Sequence, residues 1–145
     1  MDRRYAVLDV FTDRALAGNP LAVVRDAEGL DDAAMQAIAR EFNLSETVFV
    51  LPPDNPAHTA KVRIFTPGRE LPFAGHPTVG TAIYLSAERF RGGEGDDVDV
   101  MVVLEEKVGP VRCGVVLRSG GVPYAEFDLP RLPKVADTAP DVAAV

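Results

Sequence analysis

One segment of the chain restricts its fold more than any other, because it predicts a helix that is apolar on more than one face. This helix is predicted over residues 76–91, with Pro77 in its first turn and Gly92 and Gly93 as its stop. Its apolar residues are Val79, Ala82, Ile83, Leu85 and Phe90. A surface helix needs only one apolar stripe, so we expect this one to be wrapped by a sheet.

The other predicted elements supply that sheet. Short runs of apolar and β-branched residues, separated by turn residues, predict seven strands, at residues 5–11, 21–24, 47–51, 58–66, 98–104, 108–117 and 122–129. A second helix is predicted over residues 31–43, where Asp31 is a good N-cap and Asn43 ends an apolar stripe. About seven strands with two helices indicate the α+β fold class.

Composition and length exclude several kinds of protein. The chain has 145 residues, 47% of them hydrophobic, which suits one domain with a real core. The net charge of -7 offers no basic face to a phosphate backbone, so nucleic acid is not expected as a partner. No apolar run approaches the roughly 20 residues of a membrane span, and residues 1–11 lack the pattern of a signal peptide. A single cysteine excludes an internal disulfide and fits a reducing compartment, so we expect a cytoplasmic protein that does not bind membranes.

Three places carry residues suited to chemistry, and each also has a purely structural interpretation. Glu46 directly precedes an apolar strand and could act as an acid or base, or it could be a solvated carboxylate. Gly75 and His76 lie where a turn leads into the predicted helix, and backbone N–H groups there favour an anion such as a substrate carboxylate. His76, at the expected N-cap, could orient or protonate a ligand, or it could be satisfied by the turn's backbone. Arg69 and Glu70 could serve a polar substrate or form a solvated charged loop.

Missing motifs exclude other chemistries. The chain has neither a G-x-x-x-x-G-K-[ST] phosphate loop nor a G-x-G-x-x-G dinucleotide loop. One cysteine and two well-separated histidines give no cluster of metal ligands. Cys113 lies mid-strand without a local base, which argues against a nucleophile, and His58 is expected to be exposed beside a Pro-rich turn. What remains is acid–base chemistry without metal, nucleotide or other cofactor, or simple binding.

A series of short motifs gives the chain a family resemblance. In order, they are LDVF (8–11), GNPLAVV (18–24), MQAIA (35–39), SETVFV (45–50), RIFTP (63–67), ELPFAGHPT (70–78) and GTA (80–82). In content, order and spacing this series resembles the N-terminal half of the PhzF family, the phenazine-biosynthesis isomerases and their relatives, which share the diaminopimelate epimerase fold. The resemblance covers roughly residues 3–130.

The resemblance implies a fold and a set of site residues. Family members have two similar lobes, each a curved mixed sheet rolled around a central helix, here the helix predicted over residues 76–91. By resemblance, Glu46 is the acid/base that moves a proton between two carbons, while Gly75, His76 and Asn19 bind the substrate. Ala74 stands where the epimerases of this fold place a catalytic cysteine, which points to a one-base isomerase.

The length of the chain departs from the family, whose members are about twice as long. Residues 1–130 are predicted to form one lobe, and residues 131–145 a Pro/Ala-rich tail or the start of a linker to an absent second lobe. The second lobe's Asp and glycine-rich turn have no counterpart. We expect an isomerase of a small carboxylate-bearing metabolite, its cleft completed by a homodimer or by a separately encoded second lobe. The alternatives are a catalytically incomplete binding or assembly subunit, or a truncated fragment.

Overall fold

The computed structural model describes residues 2–90 and 95–132. The predicted tail from residue 133 onward and the predicted helix stop at Gly92 and Gly93 lie outside the described residues. The described residues form two helices and eight strands, which are, in chain order, β1 (Tyr5–Val10), β2 (Asn19–Val24), α1 (Asp32–Phe42), β3 (Glu46–Leu51), β4 (Ala60–Phe65), β5 (Glu70–Leu71), α2 (Gly75–Arg89), β6 (Val98–Glu106), β7 (Gly109–Leu117) and β8 (Tyr124–Phe127).

All eight strands belong to one mixed sheet. Its order is β1-β2-β3-β4-β6-β7-β8, and β5 pairs with β4. The β2–β3 and β4–β6 pairs are parallel, and the other pairs are antiparallel, including the β1–β2 hairpin. Because α2 contacts strands at both ends of this order, the sheet curls around the helix. The predicted α+β lobe with a central helix is therefore confirmed.

The burial of α2 agrees with its sequence. Nine of its 15 residues are buried, which is more than one apolar stripe would give. Three of them, Val79, Ala82 and Leu85, pack into a core with residues from β1, β2, β3, β4, β6 and β7. The closest approach is at Gly80, where a Cβ atom would lie 2.7 Å from both Leu21 Cδ2 and Val10 Cγ2. The absence of a side chain at this position thus allows α2 to rest directly on β1 and β2.

We expect Gly80→Ala to lower the free energy of unfolding by about 1–3 kcal/mol, since the added methyl group overpacks the core. Leu21 and Val10 are buried and cannot move aside cheaply, so the clash outweighs the better helix propensity of alanine. Urea unfolding measures the difference. The matched control is Gly95→Ala, whose Cβ would meet no atom within 4 Å, and which we expect to change stability by less than about 0.5 kcal/mol. Equal stabilities of the two variants would contradict this account.

A second core lies on the opposite face of the sheet, under α1. Alternation along β3 directs Val48 and Val50 toward the α2 core and Phe49 toward α1. The predicted caps of α1 are present: Asp31 Oδ1 accepts a hydrogen bond from the Ala34 N–H at 2.7 Å, and Asn43 adopts a left-handed conformation with φ 51°. The central strand β3 is therefore buried on both faces, which fixes the position of its first residue.

One strand is absent from the sequence prediction. The segment predicted as loop between residues 67 and 75 contains the short strand β5, because Leu71 and Glu70 pair with Ile64 and Phe65 of β4.

Neither of the two described helices is long and apolar enough to cross a membrane. The cytoplasmic location and the domain boundary at residue 130 stay predictions.

Candidate active site

Two predicted site residues lie at the starts of neighbouring strands. Glu46 is the first residue of β3, and the parallel register places it beside Leu21 of β2. Asn19 is the first residue of β2, so it lies at the same end of the sheet. The Ser45 hydroxyl donates a hydrogen bond of 3.4 Å to Asn19 Oδ1, which connects the two strand starts directly.

Helix α2 begins at this end of the sheet, one residue earlier than predicted. Ala74, not His76, is the N-cap, because the Thr78 N–H donates to the Ala74 carbonyl at 3.2 Å and so opens the helical ladder. Ala74 has no side chain that could cap the helix. Gly75 and His76 are therefore the first two helical residues. Their N–H groups have no acceptor within the helix, so they favour an anion.

The structure brings Glu46 and His76 together. His76 Nδ1 lies 3.4 Å from Glu46 Oε2, and the side chains are 8% and 16% exposed. Two atoms of this pair, Glu46 Oε2 and His76 Nε2, are buried without a hydrogen bond to any described residue. Buried polar atoms in folded proteins nearly always have partners, so these two are suited to a ligand or water. A carboxylate that can accept a proton thus lies beside an imidazole and a helix N-terminus that can hold an anion.

Phe11 also belongs to this site, although sequence reasoning treated it only as the end of a strand. Its ring centroid lies 6.5 Å from that of His76, and the side chain is 71% exposed. Its φ of 62° is in the left-handed region, which non-glycine residues seldom adopt and which often marks functional sites. The sequence feature that could have indicated its role is an aromatic residue directly before the polar turn at Thr12 and Asp13.

The third predicted place is structural. Glu70 Oε1 accepts from Arg63 Nε at 2.7 Å, and Glu70 Oε2 accepts from Lys107 Nζ at 2.9 Å. The bond from Arg63, more than that from Lys107, lowers the pKa of Glu70. Arg69 is exposed on the adjacent turn. Neither residue contributes to the Glu46–His76 pair. The interpretation as a solvated charged loop fits Arg69 but not Glu70, which is a paired carboxylate in β5 with a side chain only 16% exposed.

His58 and Cys113 lie elsewhere. The expectation that His58 is simply exposed is wrong: its Nδ1 lies 2.7 Å from Glu105 Oε1, and the side chain is 21% exposed. Glu105 also accepts from the N–H groups of Asn55 and Asp54, which lowers its pKa and holds the Pro-rich loop in place. Cys113 is fully buried in β7, and desolvation raises its pKa to about 12, so the group stays a thiol.

A cavity of about 440 Å³ lies at the other end of α2 and does not include the candidate site. Leu85, Glu88 and Arg89, all in the last turns of the helix, form part of its wall. The charged side chains of Arg25 and Glu88 bind each other across it. Because these two charges already neutralise each other, we assign the chemistry to the other end of α2, where the Glu46 carboxylate and the His76 imidazole lie beside the start of the helix.

Glu106 is a buried carboxyl that the sequence prediction overlooked. It is the last residue of β6 and is 7% exposed, and burial raises its pKa to about 7. Because Val102 and Leu104 point into the core, the two-residue period of the strand also directs Glu106 inward. The predicted strand ended at Leu104, two residues too early to show this.

Through Glu106, we expect the stability of the fold to fall as the pH rises toward neutrality. Glu106 has a pKa of about 7 in the folded chain, against an ordinary value of 4.5. Between pH 4.5 and pH 7, the folded state therefore keeps a proton that the unfolded state has released. The stabilisation is complete below the ordinary value and is lost as the pH rises through 7, at about 1.4 kcal/mol per pH unit in between. Urea unfolding at several pH values should show a shallower decline for Glu106→Gln than for the wild type. Parallel declines would contradict the prediction.

Together, fold and site define a class of protein: a half-barrel lobe whose central helix and central strand bring an imidazole and a carboxylate together at one end. The chain belongs to the PhzC-PhzF family, because the family model described as phenazine biosynthesis-like protein matches residues 8–144. The resemblance inferred from the motifs is thereby confirmed.

Individual relatives agree with this membership. An uncharacterized isomerase of Mesorhizobium japonicum is 59% identical over 143 residues, which are 99% of this chain and 45% of that protein. The trans-2,3-dihydro-3-hydroxyanthranilate isomerase of Pseudomonas fluorescens is 44% identical over 126 residues, covering 87% of this chain and 42% of that protein. A solved structure from Pseudomonas aeruginosa, described as a predicted epimerase, matches with a TM-score of 0.73 and 46% identity, over 88% of this chain and 43% of that one. The chain thus spans less than half the length of these relatives.

Proposed function

We propose that this chain is one lobe of a cofactor-independent isomerase that moves a proton between two carbons of a small, carboxylate-bearing metabolite. The Glu46 carboxylate takes a proton from one carbon, becomes a carboxylic acid, and returns the proton to another carbon of the same molecule. The observation that carries this proposal is the contact of Glu46 with His76, in which Glu46 Oε2 and His76 Nε2 are buried and form no hydrogen bond with any described residue.

The helix start supports a carboxylate as the common feature of the substrates. The N–H groups of Gly75 and His76 precede the helical ladder, at the positive end of the helix dipole. His76 Nε2 can add a hydrogen bond to a substrate group, and Asn19 lies at the adjoining strand start. An anion held here lies beside Glu46, since the His76 ring itself is 3.4 Å from that carboxylate.

The relatives support the reaction type. Two of them are named isomerases, and the matched solved structure is described as an epimerase. Both names describe rearrangements within one molecule, as the proposed proton transfer is. The compound in the name of the Pseudomonas fluorescens enzyme is a carboxylic acid with a partly unsaturated ring, which makes it the first substrate to test.

The cleft, in this proposal, is completed by a second lobe that faces Glu46 and His76. The relatives are more than twice as long as this chain, which leaves room in them for a second unit of equal size. Apolar side chains next to the site are uncovered in this lobe: Phe11 is 71% exposed and Leu16, in the same loop, is 96% exposed. We propose as its source another copy of the chain, a separately encoded partner, or the remainder of a longer protein.

Exchange of hydrogen with solvent tests the function. The chain is incubated in D2O with trans-2,3-dihydro-3-hydroxyanthranilate and with a panel of small hydroxy and amino acids, and deuterium at carbon is followed by NMR. Light scattering on the same samples gives the oligomeric state. We expect a dimer that incorporates deuterium into at least one carboxylate. A dimer that binds none of these compounds and exchanges none of them contradicts the proposal.

The alternative, a binding or assembly subunit without catalysis, is motivated by the length of the chain relative to its relatives. Two copies of this lobe bring two Glu46 side chains and no second-lobe Asp. The alternative therefore predicts a stable monomer, or a dimer that binds a carboxylate without exchanging its hydrogens. The D2O experiment distinguishes it from the proposed isomerase.

A further inference from the structure

Glu106 occupies an environment in which a charged carboxylate has little support. Its Oε1 lies 2.7 Å from Thr78 Oγ1, and its Oε2 is buried without a hydrogen bond to any described residue. A buried charge is costly unless it is paired and fully hydrogen-bonded. A neutral carboxylic acid needs much less from its surroundings.

The charged groups around Glu106 are engaged elsewhere. Those that line a cavity with it are Asp32, Asp54, Lys61, Arg63, Glu70, Glu105 and Lys107. Each of the three cations in this set binds another carboxylate: Lys61 binds Asp54, Arg63 binds Asp32 and Glu70, and Lys107 binds Glu70. From β7 the neighbouring group is the Cys113 thiol, and from α2 it is Thr78. Within the described part of the chain, no cation is paired with Glu106.

The hydrogen bonds of Thr78 also indicate that Glu106 is a neutral carboxylic acid. Its Oγ1 lies 2.7 Å from the Ala74 carbonyl oxygen and 2.7 Å from Glu106 Oε1. A hydroxyl group has one proton to donate, and the carbonyl has none. Both contacts are hydrogen bonds only if Glu106 carries the second proton and donates it to Thr78, while Thr78 donates to Ala74.

These contacts end at the turn that carries the candidate site. Ala74 is the N-cap of α2. The next two residues, Gly75 and His76, carry backbone N–H groups that make no hydrogen bond within the helix. Its carbonyl accepts from both the backbone N–H and the hydroxyl of Thr78. A second bond from the β6–β7 turn, from the Val108 N–H to the Pro72 carbonyl at 3.0 Å, holds the same loop from the same side.

We propose that Glu106 is a positioning residue for the candidate active site: as a neutral carboxylic acid it donates to Thr78, Thr78 donates to Ala74, and these hydrogen bonds set the orientation of Gly75 and His76. That this turn serves catalysis rests on the proposed function, but the positioning itself does not. Among the described residues, no hydrogen bond or ion pair joins Glu106 to Glu46, so Glu106 acts through Thr78 and the helix start.

NMR of the chain tests this without any substrate. Glutamate labelled with 13C at the side-chain carboxyl reports the titration of Glu106, and the Gly75 amide and His76 ring resonances report the turn. We expect a Glu106 midpoint near 7, well above the ordinary 4.5. Glu106→Gln, whose amide can also donate to Thr78, should leave the Gly75 and His76 resonances close to those of the wild type.

Variants that break the hydrogen bonds should move those resonances. Glu106→Leu and the nearly isosteric Thr78→Val are expected to shift the Gly75 and His76 signals in the same direction, and the double variant no further than either single one. The matched control is Glu105→Gln, which removes a neighbouring carboxylate that binds the loop around Asn55 and should leave the His76 signals in place.

Three results would overturn the proposal: a Glu106 midpoint near 4.5, unchanged Gly75 and His76 signals in folded Thr78→Val, or loss of the wild-type signals in Glu106→Gln. If Glu106→Leu does not fold, Thr78→Val still decides, since it keeps the volume of the side chain. A wild-type chain that exchanges no substrate hydrogens would contradict the proposed function and leave these NMR results unaffected.

Discussion

Replacing Glu46 by Gln is expected to slow the incorporation of deuterium into substrate by about 10²- to 10⁴-fold, the usual contribution of a positioned acid/base. The amide keeps the shape of the side chain at the start of β3, but it cannot accept a proton from carbon. Binding should weaken much less, because the groups that we propose to hold the anion belong to Gly75 and His76. The measurement is the initial rate of exchange in D2O at saturating substrate, with affinity determined separately.

Two variants make this result specific. Glu46→Asp keeps a carboxylate but withdraws it by one methylene, so we expect a rate between those of the wild type and Glu46→Gln. Glu105→Gln makes the same change in net charge at a carboxylate that holds a loop outside the site, and it should leave the rate unchanged. Equal incorporation by the wild type and Glu46→Gln would exclude Glu46 as the proton carrier.

The largest effect on stability is expected at Phe49, which is fully buried in the core between α1 and the sheet. Its ring packs edge-on against Phe65 at a centroid distance of 5.4 Å. Phe49→Ala should lower the free energy of unfolding by about 3–5 kcal/mol, because it removes the buried ring and leaves a cavity that β3 and α1 cannot close. The loss would be a large share of the total stability of about 5–15 kcal/mol that is typical of a domain.

Urea unfolding of Phe49→Ala, Phe49→Leu and Phe11→Ala tests this. Phe49→Leu fills most of the space and should lose clearly less than the alanine variant. Phe11→Ala removes the same ring from an exposed position, so its stability should stay within about 0.5 kcal/mol of the wild type. A loss of less than about 1 kcal/mol in Phe49→Ala would show that the core under α1 contributes little.

Elements defined by local patterns were predictable. The caps of α1 at Asp31 and Asn43 follow from side-chain chemistry within a few residues, and both are present. The position of α2 at the centre of the sheet follows from its apolar residues on several faces. The two-residue strand β5 was not predictable, because its only basis is pairing with β4.

The candidate site could be predicted in part. The motifs pointed to Glu46, Gly75, His76 and Asn19 through a family resemblance, and the structure places them at one end of the sheet. The role of these residues stays a prediction until exchange is measured. His58 was misjudged because its partner, Glu105, is 47 residues away in the sequence.

The sequence by itself determined the two helices and seven of the eight strands that the structure describes, and through its motifs the family to which the chain belongs. Periodicity and capping are local, so they can be read without coordinates. Only the tertiary structure decided that Glu46 and His76 lie 3.4 Å apart, that Phe11 stands beside them, and that Glu106 is buried against Thr78. The reason is physical: desolvation and hydrogen-bond pairing depend on residues distant in the chain, which meet only when the sheet has curled around α2.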